Sequence, residues 1–224
     1  MKGQKVSRLI DLSHTIEDGL VTYKGLPAPI ICDYLSREAS KKIYAEGTTF
    51  QIGKIEMCSN TGTYLDSPFH RYENGKDLSE LDLESIASLV GVKITISEEI
   101  TAIDEKWFYD IDILDKAVLV QTDWSRYWNT ERYYEGHPYL TEGAARFLKN
   151  SGVKLVGIDT YNIDDVSGKE RPVHSILLGS DILIVEHMCN LESVPDKNFK
   201  FYAVPVKIKG FGTFPVRAFA EITV

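Results

Sequence analysis

Asp66 and His70 close the segment Asn60-Thr61-Gly62-Thr63-Tyr64-Leu65-Asp66-Ser67-Pro68-Phe69-His70, and far downstream His174 and Glu186 each sit against apolar sequence. Carboxylates and imidazoles are the oxygen and nitrogen donors that divalent Zn or Mn accepts. Each residue also has a plainer explanation. An Asp and a His in one loop often form a hydrogen-bonded turn. His174, within Pro172-Val173-His174-Ser175-Ile176-Leu177-Leu178, suits a core histidine with a partner. Glu186, ending Ile182-Leu183-Ile184-Val185-Glu186, suits a strand end in water. An unpaired carboxylate inside that run would cost on the order of several kcal/mol, so Glu186 needs a cation, hydrogen-bond donors or solvent. Two imidazoles and two carboxylates together point to a metal.

The elements that must position these groups are legible in outline. Residues 51–57 alternate apolar and polar side chains, which predicts a strand with one buried face. Gly62 permits a turn that a Cβ would resist. Pro68 drives Ser67 toward extended backbone, which puts Asp66 and His70 on an extended or looped segment rather than a helix. Further strands are expected over 9–14, 92–97, 117–122, 154–159, 182–186, 201–208 and 216–223. A helix over 141–150 has Thr141 as cap and ends near Gly152, and weaker helical patterns cover 82–89 and 103–109. Helix, glycine and strand from 141 to 159 make one αβ unit, so the chain reads as α+β with much strand.

Composition narrows the function classes. The 224 residues suit a single domain over 1–224 with a proper core, and a net charge of −8 argues against nucleic acid and anionic membranes as partners. The first residues lack the apolar stretch of a signal peptide, and no run approaches the ~20 residues that span a bilayer, so a cytoplasmic protein is expected. Cys32, Cys58 and Cys189 are isolated, which supports neither a thiolate zinc site nor a redox motif. Cys58 reads as a small hydrophobe before it reads as a nucleophile. No Gly-x-Ser-x-Gly elbow occurs; Ser180 in Leu178-Gly179-Ser180-Asp181 lacks the second glycine.

The chain resembles the cyclase family that includes bacterial kynurenine formamidase and isatin hydrolase, whose signature is His-x-Gly-Thr-His-x-Asp-x-Pro-x-His. Gly62, Thr63, Asp66, Pro68 and His70 match in register. Asp11-Leu12-Ser13-His14, Gln121-Thr122-Asp123-Trp124, His137-Pro138-Tyr139-Leu140, Gly152 through Thr160, the His174-x11-Glu186 spacing and Pro215 through Ala220 extend the likeness over roughly residues 8 to 223. It implies a swivelling β/β/α fold, a homodimer or higher homo-oligomer with a partner chain lining the pocket, and a small-molecule substrate. The aromatic stretch 124–134 is then either an interface or an internal cluster. The likeness also implies two metal positions, of which Asn60 and Tyr64 replace the imidazoles of the first. The second keeps Asp66, His70, His174 and Glu186, and would hold one divalent metal, Zn or Mn, or none.

The chemistry implied is hydrolysis of a small amide, formamide or lactam by water activated at that metal. His70 or Glu186 is the candidate base. Asn60, Thr63 or Tyr64 is the candidate donor to the developing oxyanion, with Tyr64 also a candidate acid. Tyr23 and Trp124 are candidate platforms for an aromatic substrate, or else core aromatics. A lactonase or dehydratase on the same fold, and a ligand-binding relative without turnover, are the alternatives.

Overall fold

The structure is a computed structural model and describes residues 7–96 and 100–223. In chain order its strands are β1 (Ser7–Asp11), β2 (Ile30–Leu35), β3 (Ile52–Glu56), β4 (Tyr64–Asp66), β5 (Leu89–Thr95), β6 (Ala102–Ile103), β7 (Ala117–Gln121), β8 (Tyr139–Leu140), β9 (Leu155–Ile158), β10 (Leu183–Glu186), β11 (Phe199–Tyr202), β12 (Thr213–Pro215) and β13 (Phe219–Thr223). The helices are α1 (Arg37–Ser40), α2 (Glu142–Asn150) and α3 (Pro172–Leu178), and single 3-10 turns fill several connections.

Nine strands form one mixed sheet in the order β1-β13-β11-β5-β7-β9-β10-β4-β12. Its centre, β5-β7-β9-β10, is parallel and its two wings are antiparallel. The central strands read as unbroken apolar runs because both faces are covered. Val118, Val120, Val156, Ile158 and Ile184 face one core with α2 and α3, while Ala117, Leu119, Leu155, Leu183 and Val185 face a second core with residues of the curled wings. Helices on one side and sheet closing on sheet on the other give the expected β/β/α layering.

Several expected elements change in extent. Residues 51–57 do contain β3, but it pairs only with β2 in a separate ribbon, and all five of its residues are exposed. Among the described residues the ribbon joins no other sheet, and its alternation buries no face. The pattern over 82–89 yields only a 3-10 turn at Leu83–Ser85, because Leu89 already enters β5; that over 103–109 yields a turn at Glu105–Phe108, capped by Asp104. The strand expected over 201–208 stops at Tyr202, ahead of Pro205, which has no amide hydrogen for a ladder. The strand expected over 216–223 begins at Phe219. Ser97, the end of another expected strand, and the initial residues 1–6 lie outside the described residues. Residues 172–178, left without an element by the sequence, form α3; Pro172 opens it where its missing N–H costs nothing. α2 starts as expected, with Thr141 Oγ1 accepting from Ala144 N at 3.2 Å.

Candidate active site

Strand register assembles the polar groups. Antiparallel pairing sets Tyr64 opposite Glu186, and Thr213 opposite Asp66. Alternation along β4 then puts Tyr64 and Asp66 on one face and Leu65 on the other, packed in the core with Val185. The polar face meets α3 at the carboxyl end of the parallel strands, a usual place for a binding site in such sheets. Gly62 turns the chain into β4 with φ +65°, and a Cβ there would meet Ile16 Cγ1 at 2.7 Å. Gly212 lets the chain before β12 lie directly against the backbone of His70. His70 itself sits in a 3-10 turn, Pro68–His70, not on extended chain, while Ser67 before it is extended as expected.

Asp66, His70 and His174 each present one ligand atom within 4.8 Å of the others. Neighbouring groups fix which atoms are free. Thr213 Oγ1 gives its single proton to Asp66 Oδ1, so the 2.7 Å contact between Thr213 Oγ1 and His70 Nδ1 must be donated by the ring, leaving Nε2 open. Asp164 Oδ2 accepts from His174 Nδ1 at 2.6 Å, which turns Nε2 toward Asp66 Oδ2 at 3.7 Å and Glu186 Oε1 at 3.8 Å. A carboxylate behind a ligating imidazole is the usual means of fixing its tautomer. Asp66 Oδ2 is buried and has no hydrogen-bond partner. A buried carboxylate oxygen with no hydrogen bond among the described residues, 3.7 Å from His174 Nε2 and grouped with a ligand atom of His70, fits a divalent cation.

Glu186 stands beside that cluster without belonging to it. Oε1 accepts from Ile163 N at 2.6 Å and Oε2 from the Tyr64 hydroxyl at 2.8 Å. Burial, with Asp66 close by, pushes its carboxyl up to about 7 against the pull of His174 and these two donors. Burial would raise Asp66 as well, but the charges of His70 and His174 and the hydrogen bond from Thr213 hold it below the ordinary carboxylate value. Burial would lower His174, yet Glu186, Asp164 and Asp66 around it raise it to about 10 in the metal-free protein.

A cleft of about 710 Å³ opens over the cluster, and Tyr23, Asn60, Tyr64, His70, His174 and Glu186 line it. Thr63 and Trp124 do not. The Thr63 hydroxyl accepts from His14 N and donates to the His187 carbonyl, so it has no proton left for a substrate. Trp124 is buried with its indole N–H on the Tyr133 carbonyl, and the stretch 124–134 packs into an aromatic cluster with Tyr161 and Tyr23. Cys58 is half-buried and Cys32 exposed, leaving Cys189 as the buried thiol. Asp164, Thr213 and His187 join the site without a sequence signal: Asp164 from the loop before α3, His187 from the turn after β10, and Thr213 from β12.

A family model named Cyclase, described as "Putative cyclase", matches residues 10–165. The chain belongs to the cyclase family. Kynurenine formamidase of Bacillus cytotoxicus is 28% identical to it over 214 residues, spanning 96% of this chain and 97% of the relative. The enzyme of the same name from Geobacillus thermodenitrificans is 30% identical over 174 residues, 78% of this chain and 81% of the relative. Isatin hydrolase A from Labrenzia aggregata bound to benzyl benzoate superposes with a TM-score of 0.83 at 22% identity, covering 97% of this chain and 94% of that one. Within this cyclase-family chain, Asn60 and Tyr64 line the cleft where the family signature has imidazoles.

Proposed function

We propose that this cyclase-family protein is a metal-dependent hydrolase of a small amide, formamide or lactam, with one divalent metal per chain. The observation that carries the reading is the unpartnered Asp66 Oδ2, 3.7 Å from His174 Nε2 and grouped with His70, both of which line the cleft. Asp66, His70 and His174 hold the ion, and Zn or Mn suits two nitrogens and an oxygen. When bound, it supplies Lewis acidity to a carbonyl and to water.

The chain's own residues do the rest. Glu186 is the base: raised to about 7, its carboxyl both takes and releases a proton near neutrality. His70 gives its Nδ1 proton to Thr213 and its Nε2 to the ion, so it holds the metal and leaves the base to Glu186. The Asn60 amide is the donor for the substrate oxygen, since the only proton of Tyr64 is directed at Glu186. Tyr23, stacked on Tyr161 at 4.7 Å, offers its other face to an aromatic substrate.

A homodimer completes the reading. The ribbon of β2 and β3 displays Ile30, Ile31, Ile52 and Ile55 to solvent, apolar area suited to a second copy. Unpaired cysteines agree with a cytoplasmic setting, and no helix among the described residues is long and apolar enough to cross a membrane.

The test is metal content by elemental mass spectrometry, followed by assay of N-formyl aromatic amines and cyclic amides. About one Zn or Mn per chain with turnover is the expected result. Tight ligand binding without turnover would instead favour a binding relative, a reading that the loss of both imidazoles at Asn60 and Tyr64 supports.

A further inference from the structure

Behind the cleft lies a buried chain of hydrogen bonds that the hydrolytic reading leaves unused. His187, directly after Glu186, has Nδ1 2.9 Å from the Tyr133 hydroxyl and Nε2 3.2 Å from the Tyr64 hydroxyl. Tyr64 in turn donates to Glu186 Oε2 at 2.8 Å. Tyr64, Tyr133 and His187 are all buried. Edges and faces of Trp128, Tyr133 and Tyr161 surround the imidazole, with ring centres 5.7–6.0 Å away.

A hydroxyl and a neutral imidazole each have one proton to give, and that fixes the order of the chain. With Glu186 a carboxylate, Tyr64 must donate to it. The Tyr64 oxygen can then only accept, so His187 Nε2 carries the ring proton. His187 Nδ1 is therefore an acceptor, and Tyr133 donates to it. The opposite order would leave the Tyr133 proton without an acceptor, since that hydroxyl has no other bond among the described residues.

The backbone places the ring for these contacts. His187 adopts φ +55°, a left-handed conformation that residues with a Cβ disfavour. Strain of this kind is kept where surrounding contacts impose it. Here the His187 carbonyl accepts from Thr63 Oγ1 at 2.5 Å, and Met188 N donates to the Ile158 carbonyl at 3.1 Å. The strained turn is what points the ring back between the two tyrosines instead of across the strand from Glu186.

We infer that His187 and Tyr133 are positioning residues that hold the Tyr64 hydroxyl as a fixed donor to Glu186, in the order Tyr133 to His187 to Tyr64 to Glu186. Its kinetic consequence rests on the proposed hydrolytic reading; the hydrogen-bond order does not. With Oε2 held by Tyr64 and Oε1 by Ile163, the carboxylate keeps one orientation toward the cleft. Tyr64 thus has a purpose of its own in a position where an imidazole would have bound a second ion.

The tautomer of His187 is read directly by long-range proton–nitrogen NMR on histidine-labelled holoprotein. The expected signature is a neutral ring protonated at Nε2. Tyr133→Phe removes one buried oxygen and keeps the ring; His187 Nδ1 loses its donor while Nε2 still donates to Tyr64, so the Nε2 tautomer should persist with a looser hold on the Tyr64 hydroxyl. With the substrate that wild type hydrolyses, its kcat should fall about tenfold at unchanged KM and metal content, the size expected for one lost hydrogen bond. A ring protonated at Nδ1 in the wild type, or a Tyr133→Phe variant with wild-type kcat, would overturn the inference. Wild type that turns over no amide but shows the Nε2 tautomer supports the hydrogen-bond order while removing the hydrolase reading.

Discussion

At the residue scale, the cluster makes sharp demands on individual atoms. Removing an imidazole that faces Asp66 Oδ2 should empty the site: His174→Ala is expected to lose metal, and unchanged metal content by elemental analysis would refute the ligand set. Asp164→Asn is subtler. Asparagine keeps one acceptor oxygen, so it can serve the Val173 amide or the His174 amide and ring but not both, and it no longer holds a charged partner on Nδ1. Supporting carboxylates of this type are worth about 10–100-fold in metal affinity, and competition with a chelator would measure the drop. Tyr64→His combined with Asn60→His should add a second ion per chain if β4 keeps its backbone; a double variant that still binds at most one would show that Glu186 and His187 leave no room for it. Asp66, His70, His174 and Glu186 stand out in the sequence because carboxylates and imidazoles are rare beside apolar runs. Asp164 and Thr213 do not, because nothing in their own neighbourhoods says which imidazole they will meet. His187 was hidden by its neighbour: a strand-end Glu followed by His gives no hint of the left-handed turn that redirects the ring.

At the scale of elements, Asp159 ties two strand ends together. Its carboxylate accepts from Thr122 N, Thr122 Oγ1 and Asp123 N, binding the end of β7 to that of β9. Burial outweighs those donors and raises the carboxyl to about 7. The unfolded chain would release this proton near pH ~3.9. Between those values the folded state holds the extra proton, so the contribution is complete below pH ~4 and is lost as the pH rises through about 7. Urea unfolding from pH 4 to 8 should show that decline, and Asp159→Asn should flatten it by up to about 4 kcal/mol. Thr141→Ala tests the helix start and should cost about 1 kcal/mol by the same method. The start of α2 was readable because a cap is a local contact. α3 was not, since its seven residues show no repeated apolar period and its leading amides are satisfied by Asp164 from the preceding loop.

At the scale of the molecule, the exposed ribbon is the feature that a single chain leaves unexplained. Ile55, 57% exposed and registered against Ile31, lies on the ribbon we assign to a second copy. Ile55→Lys should shift the protein toward monomer in sedimentation velocity without altering metal content, and an unchanged sedimentation coefficient would place the contact elsewhere. The sequence by itself determined the family, the apolar strands of the sheet, the start of α2 and the identity of the candidate ligands, because those depend on local chemistry and on periodicity along the chain. Tertiary structure decided which of the named residues reach the cleft. Thr63 and Trp124 gave their protons to the fold, and β3, paired only with β2 among the described residues, stayed exposed. It also decided that Glu186 is held between Ile163 and Tyr64 beside the ligand cluster. Strand register and one strained turn set those partnerships, and both arise from contacts between segments that the sequence keeps far apart.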